Sequence, residues 1–362
     1  MEAVPLEAIH ELIELSGLIA RESEEDYVLA AGNVVDAAFR RSLLRQLERC
    51  AARCADPAAD MQKEIYALDD VLMKFASTNE IPQYREVVRM LWNEIESRQG
   101  GSSGIPFKFP TLNRFAMIER GELFVFAAQA KQGKSIMLLN CAVDLMRQGL
   151  RVLYLDSELS DRMFTGRMLA HLTGIEYARV KSGAYTDAER AKIEGALQWL
   201  EQQKTFTHKY MPVFDESGVY TLTKRVAHTQ GLDVLIVDYF KDSGGGEAFE
   251  TSQELGKLVD LVKNRICGDM NIAGIGAAQA SASGHVALSA KIPRNASSIA
   301  MLLDKTPEEI EADGAACGNK KLWLRFNRNG EQMREGEYID LKFNGNLIFY
   351  EEARQHAARE PY

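Results

Sequence analysis

The sequence predicts an α/β fold with a mainly parallel sheet, preceded by a small all-helical region. Three observations carry this. From residue 1 to about 97, apolar residues recur at three- and four-residue spacing and glycines are few. The stretch RQGGSSGIPFKF, Arg98 to Phe109, then breaks the pattern with glycine, serine and proline. After it, short apolar runs alternate with amphipathic segments, as strands and helices do in a parallel sheet.

The helical region shows its period best in PAADMQKEIYALDDVLMKFAS. Met61, Ile65, Leu68, Val71, Leu72 and Phe75 form one apolar stripe. Such a stripe must be covered, either inside its own helical domain or on a neighbouring subunit. Periodicity does not choose between them.

Past the linker, strands are expected at Leu123–Ala127, Val152–Leu155, Pro212–Asp215, Leu235–Asp238 and Ile272–Ala277. Later ones are expected at Lys321–Asn327, Glu337–Phe343 and Leu347–Tyr350. Helices are expected at Ser135–Arg147, Asp161–Leu172, Asp187–Gln203, Leu222–Gln230 and Ser252–Ile266.

Composition excludes several classes. The 362 residues carry a net charge of −9, which argues against a protein coated in basic surface for nucleic acid. A few basic residues concentrated in a pore are not excluded, because local potential decides the contact. Five cysteines without a C-x-x-C pattern suggest neither a disulfide framework nor a zinc site. The N-terminus MEAVPLEAIHELIELSG lacks a basic signal-peptide start, and no apolar run is long enough to span a membrane. A reducing, cytoplasmic setting is expected.

Chemistry enters at FVFAAQAKQGKS, Phe124 to Ser135, which approaches G-x-x-x-x-G-K-[ST] with Ala128 at the first position. Gly133 allows the tight turn that aims N–H groups at phosphate. Lys134 can reach the β- and γ-phosphates, and the Ser135 hydroxyl can ligate Mg²⁺. Ala128 is small enough for its place. Alone, the segment also fits a strand–helix turn with a chance Lys-Ser. GLDVLIVDYF then supplies a hydrophobic run ending in Asp238, a carboxylate for the Mg²⁺ shell or an ordinary capping aspartate. The two together, in this order, favour ATP with Mg²⁺. In VLYLDSEL, Asp156 and Glu158 close the next strand. Glu158 is the candidate base that activates water. Either carboxylate could instead cap the helix that follows.

These residues resemble the RecA-fold motor of DnaB-type replicative helicases, superfamily 4, over roughly 104–352. The family commonly has alanine at the first loop position, so Ala128 fits it. GIPFKFPTLNRF is similar to the segment leading into the motor. LDSELSDRMFTGRMLAHLTGI resembles the strand with the catalytic glutamate, here Glu158. GIGAAQAS resembles the strand ending in a γ-phosphate sensor, here Gln279. IPRNASSIA resembles the close of the second DNA-facing loop, with Arg294. FNRNGEQ resembles the arginine-finger segment, with Arg328 offered to the next subunit. LKFNGNLIFYEE resembles the terminal hairpin.

The resemblance implies a RecA-like P-loop NTPase core behind a short helical region. The divisions are 1–57 helical, 58–97 linker helices, 98–109 Gly/Ser linker and 110–362 motor. It implies an ATP-dependent helicase that closes into a ring, normally a hexamer, and moves on single-stranded DNA. It raises the intersubunit reading of the Met61–Phe75 stripe. Gly244, Gly245 and Gly246 in the first loop, with Lys291 and Arg294 in the second, are the expected DNA contacts, gripping backbone rather than reading bases. Primase or a loader are further implied partners, weakened by an N-terminal region shorter than the family's. A second departure is Phe326, where the family often has a lysine. Arg325 is not expected to replace it, because strand neighbours face opposite sides. A RecA-type recombination ATPase and a regulatory or adaptor ring ATPase are the alternatives.

Overall fold

The computed structural model describes residues 24–79, 84–97, 104–240, 255–280 and 291–356. Contacts divide the chain into two units, Met1–Ser97 and Arg98–Tyr362.

The first unit is helical: α1 (Glu24–Cys54), α2 (Met61–Asn79) and α3 (Tyr84–Ser97). The turn between α1 and α2 is made by aspartates. Asp56 Oδ1 accepts the Ala58 N–H, and Asp60 Oδ1 accepts that of Gln62. Glu64, buried on α2, holds the end of α1 through Arg49 (3.3 Å) and Arg53 (3.5 Å). Along the apolar stripe, Ile65 and Leu72 are exposed while Leu68 and Val71 are half-buried; the Phe75 side chain lies outside the description.

The second unit is built on a nine-stranded sheet of order β3-β2-β4-β5-β1-β6-β7-β8-β9. The strands are β1 (Leu123–Ala128), β2 (Val152–Asp156), β3 (Phe206–Tyr210), β4 (Val234–Phe240) and β5 (Ala273–Gln279). They continue with β6 (Ser298–Asp304), β7 (Lys320–Asn327), β8 (Ile339–Asn344) and β9 (Phe349–Glu352). From β3 to β6 all neighbours are parallel; β6 to β9 run antiparallel. Helices α4 (Lys134–Arg147), α5 (Asp161–Thr173), α6 (Tyr177–Ser182), α7 (Asp187–Gln202) and α8 (Glu216–Gln230) make the connections. So does α9 (255–270), which is π-helical over Leu261–Gly268. The short helices α10 (Lys291–Asn295) and α11 (Pro307–Asp313) flank β6. Every residue of β1 and β2 is buried, which is why both read as unbroken apolar runs.

Two expectations fail locally. No strand forms at Pro212–Asp215; the edge strand is Phe206–Tyr210, and Asp215 caps α8 by accepting the Gly218 N–H at 2.8 Å. The sequence reading also passes over β6, which pairs with β1 on one side and β7 on the other. The lead-in segment belongs to this unit. Ile105 bridges Ile118, and the Asn113 side chain bonds both backbone groups of Phe107.

Candidate nucleotide site

Parallel pairing gathers four singled-out residues at one sheet edge. Ala128, the last residue of β1, is in register with Gln279, the last of β5. Asp238 is in register with Asp156, the last of β2. The carboxyl ends of parallel strands are where such sheets receive ligands.

The phosphate loop starts from this edge. Ala128 is fully buried, still extended, and without a positive φ, so a glycine is not required there. The left-handed turns come at Lys131 (φ 63°) and Gly133 (φ 89°). Helix α4 begins directly after Gly133, so its first N–H groups face the loop.

The side chains converge. Lys134 is buried, and its Nζ donates to the carbonyls of Ala128 (3.2 Å) and Gln129 (3.0 Å). Burial lowers its pKa, against the pull of Asp238 and Glu158. Ser135 Oγ donates to Asp238 Oδ1 at 3.0 Å, and Tyr154 OH donates to Asp238 Oδ2 at 2.6 Å. Burial raises the Asp238 pKa to about 7, and the carboxylates of Asp156 and Glu158 push the same way. This is a desolvated carboxylate with too little positive charge around it. Beside a hydroxyl oxygen, it is the hard oxygen donor set that suits Mg²⁺. The residues fit the ion, and Ser135 and Asp238 are the side chains that could hold it.

Strand β2 stops at Asp156, so Glu158 does not extend it. Instead Asp156 Oδ1 accepts the backbone N–H groups of Glu158 (2.8 Å) and Leu159 (2.7 Å). Asp156 anchors the turn, and Glu158 stands exposed on it, close enough to act electrostatically on Lys134 and Asp238.

Arg328 and Arg294 meet at the opposite edge. The Arg328 N–H donates to Ser297 O (2.8 Å), and the Ser297 N–H to Leu123 O (2.9 Å), at the start of β1. Arg328 Nη2 donates to the carbonyl of Arg294, which is itself exposed. Neither arginine approaches the phosphate loop of its own chain. Nearby, the β6–β7 pairing jumps from Ile299–Phe326 to Ala300–Leu324, leaving Arg325 as the extra residue of a β-bulge. Strict alternation is interrupted at Arg325, which also lies 5.4 Å from the centroid of the Trp323 ring. Its guanidinium lies over the Phe326 ring, 5.3 Å from the centroid. Gly244, Gly245 and Gly246 lie outside the described residues, as do 281–290; Lys291 opens α10.

Sequence reasoning missed Tyr154, Lys320 and Tyr350. Tyr154 carries the only side-chain polar atom in VLYL, and a buried hydroxyl needs a partner, which was a readable signal. Tyr350 carries no such signal, because its OH reaches Gln132 O, at 3.2 Å, from the far end of the chain.

Residues 104–351 match the DnaB-like helicase C terminal domain. The chain belongs to this DnaB-like helicase family. A replicative DNA helicase DnaB of Helicobacter pylori is 22% identical over 218 residues, 59% of this chain and 44% of the relative. One of Buchnera aphidicola is 27% identical over 148 residues, covering 40% and 32%. The chain thus spans less than half the length of either relative over the matched region. Among solved structures, a DnaB-like replicative helicase described with its interactions with primase aligns with a TM-score of 0.71 at 15% identity. It covers 94% of this chain and 82% of that one. The second unit thus has the RecA-like fold of DnaB-like motors. Among the described residues, no helix is long and apolar enough to cross a membrane.

Proposed function

We propose that this DnaB-like chain is an ATP-dependent DNA helicase that assembles as a ring, most simply a hexamer, around single-stranded DNA. The observation that carries the reading is the pairing of Ser135 with Asp238 beside the buried Lys134, with Arg328 at the other end of the same sheet. A site so divided is completed by a second copy.

The roles follow from chemistry and position. Lys134 and the first N–H groups of α4 bind the β- and γ-phosphates. Ser135 and Asp238 hold Mg²⁺, which when bound neutralises charge on the phosphate oxygens. Glu158, held out by the Asp156 turn, orients the attacking water and accepts its proton. Arg328 of the neighbouring copy stabilises charge on the transferring phosphoryl group, a contribution worth about 10³–10⁵ in rate. Gln279, in register with Ala128, senses the γ-phosphate and passes its loss to the loop that follows β5. Gly244, Gly245, Gly246, Lys291 and Arg294 are the DNA-gripping residues of this reading.

The test is unwinding of a forked DNA with ATP, beside a Lys134→Ala control, with particle size measured in the same preparation. ATP-dependent strand separation by wild type, abolished in the control and confined to ring-sized particles, is the expected result. ATP turnover at full rate by isolated monomers refutes the shared site.

A further inference from the structure

The orientation of one peptide in the phosphate loop is decided from outside the loop. The carbonyl of Gln132 accepts hydrogen bonds from Tyr350 OH (3.2 Å) and Lys320 Nζ (3.3 Å). Both donors lie on late antiparallel strands, β9 and β7. The Gln132–Gly133 peptide is not among the cis bonds, so its C=O and N–H point in opposite directions. Pinning the carbonyl outward turns the Gly133 N–H away from the hairpin and into the loop.

The loop does not determine this by itself. Gly133 sits at φ 89°, and glycine visits positive and negative φ with similar ease. Without an external hold, the preceding peptide can rotate and present its carbonyl to the phosphate instead.

The hold is rigid. Lys320 is buried, and its Nζ pairs with Asp304 Oδ1 at 2.5 Å. The other oxygen of Asp304 accepts the Gln132 side-chain amide at 2.8 Å, so Gln132 is gripped at backbone and side chain. Tyr350 is fully buried, with its ring 4.6 Å from that of Phe343. Its N–H donates to Asn140 Oδ1 (3.0 Å), and its carbonyl accepts from Lys108 Nζ (2.6 Å). Asn140 lies on α4, the helix that starts at the loop. The hydroxyl also fills the space a Cβ on Gly133 would take, 2.5 Å away.

We infer that Tyr350 and Lys320 are positioning residues that hold the Gln132–Gly133 peptide in its phosphate-receiving orientation before nucleotide arrives. The inference rests on the nucleotide-site reading above and adds a binding role for the terminal hairpin. Preorganisation of this kind removes an ordering cost from binding. The N–H so presented serves bound ATP and the transition state alike, so its loss weakens binding without slowing the bound complex.

The test uses the full chain as wild type, Tyr350→Phe, Lys320→Met and Lys134→Ala. Dissociation constants for a non-hydrolysable ATP analogue are measured beside KM, kcat and thermal midpoints. Tyr350→Phe keeps the ring and removes one hydrogen bond. It is expected to raise Kd and KM about five- to tenfold, with kcat within about twofold of wild type and a nucleotide-free midpoint lowered by no more than about 4 °C. Lys320→Met is expected to shift Kd in the same direction. Wild-type Kd in Tyr350→Phe, while Lys134→Ala loses binding, overturns this inference and leaves the nucleotide site standing. Absence of binding by wild type overturns both.

Discussion

Arg328 and Lys134 sit at opposite ends of strand β1. The arginine backbone is tied through Ser297 to Leu123, and the lysine head group bonds the carbonyl of Ala128. Those anchors are the first and last of the six residues of β1, a span of about 17 Å. A guanidinium reaches less than half as far, so within one chain the two cations do not meet at one phosphate group.

The first prediction tests that separation by mixing variants. Arg328→Ala is expected to bind nucleotide normally and to lose about 10³-fold in turnover. Lys134→Ala is expected to fail at binding. Mixed at equal amounts, the two restore activity, because an intact Lys134 from one copy meets an intact Arg328 from the other. Random mixing makes about a quarter of the interfaces complete. ATPase assays on the mixture decide the matter: a mixture as inactive as its components refutes a site shared between copies.

A second prediction concerns Arg325. The register shift at Ile299 leaves it between the rings of Trp323 and Phe326. It thereby becomes a second cation on the strand that leads to Arg328. Arg325→Ala is expected to lower turnover about tenfold with unchanged nucleotide affinity, a smaller loss than for Arg328→Ala. Steady-state kinetics beside equilibrium binding read the two quantities separately. Wild-type turnover in Arg325→Ala would leave Arg328 as the sole trans cation of the proposed mechanism.

The third prediction separates charge from geometry at Asp156. Its Oδ1 accepts two N–H groups in the turn that carries Glu158. An asparagine can accept both through its carbonyl oxygen, whereas alanine accepts neither. Asp156→Asn should retain most turnover, and Asp156→Ala should lose at least about tenfold. Equal effects of the two substitutions in a kcat measurement would show that the turn does not depend on this acceptor.

The phosphate edge could be read from local patterns, whereas Arg294 and Arg328 at the other edge came from the family resemblance alone. Lys134, Ser135 and Asp238 follow buried apolar runs, because parallel strands covered on both faces leave no alternation to obscure their ends. The same property hid β6. Its Ser-Ile-Ala-Met-Leu-Leu-Asp has no period of two and little β-branching, so it does not announce a strand. The edge strand β3 was misplaced because Thr207, His208 and Lys209 read as loop, while Val213 and Phe214 looked apolar enough for a strand. The bulge at Arg325 depends on pairing with β6, and Tyr350 depends on a contact across most of the chain. No local pattern encodes either.

The last prediction follows from His171, which is buried near the end of α5 with its Nδ1 3.0 Å from the carbonyl of Ile348. Burial lowers its pKa to about 4; the Ile348 carbonyl opposes this, and Lys108 and Arg147 add to it. The folded state therefore favours neutral imidazole, against an unfolded value of about 6.5. Its stabilising effect is complete above pH 6.5 and is lost as the pH falls from 6.5 towards 4. His171→Gln, which does not titrate, isolates this group from the carboxylates that protonate in the same range. Urea unfolding of both proteins at pH 7.5 and 4.5 gives the stability difference at each pH. The advantage of wild type over the variant should shrink by about 2–3 kcal/mol on acidification. A difference that stays constant across that range would mean that His171 takes up its proton as readily in the fold as out of it.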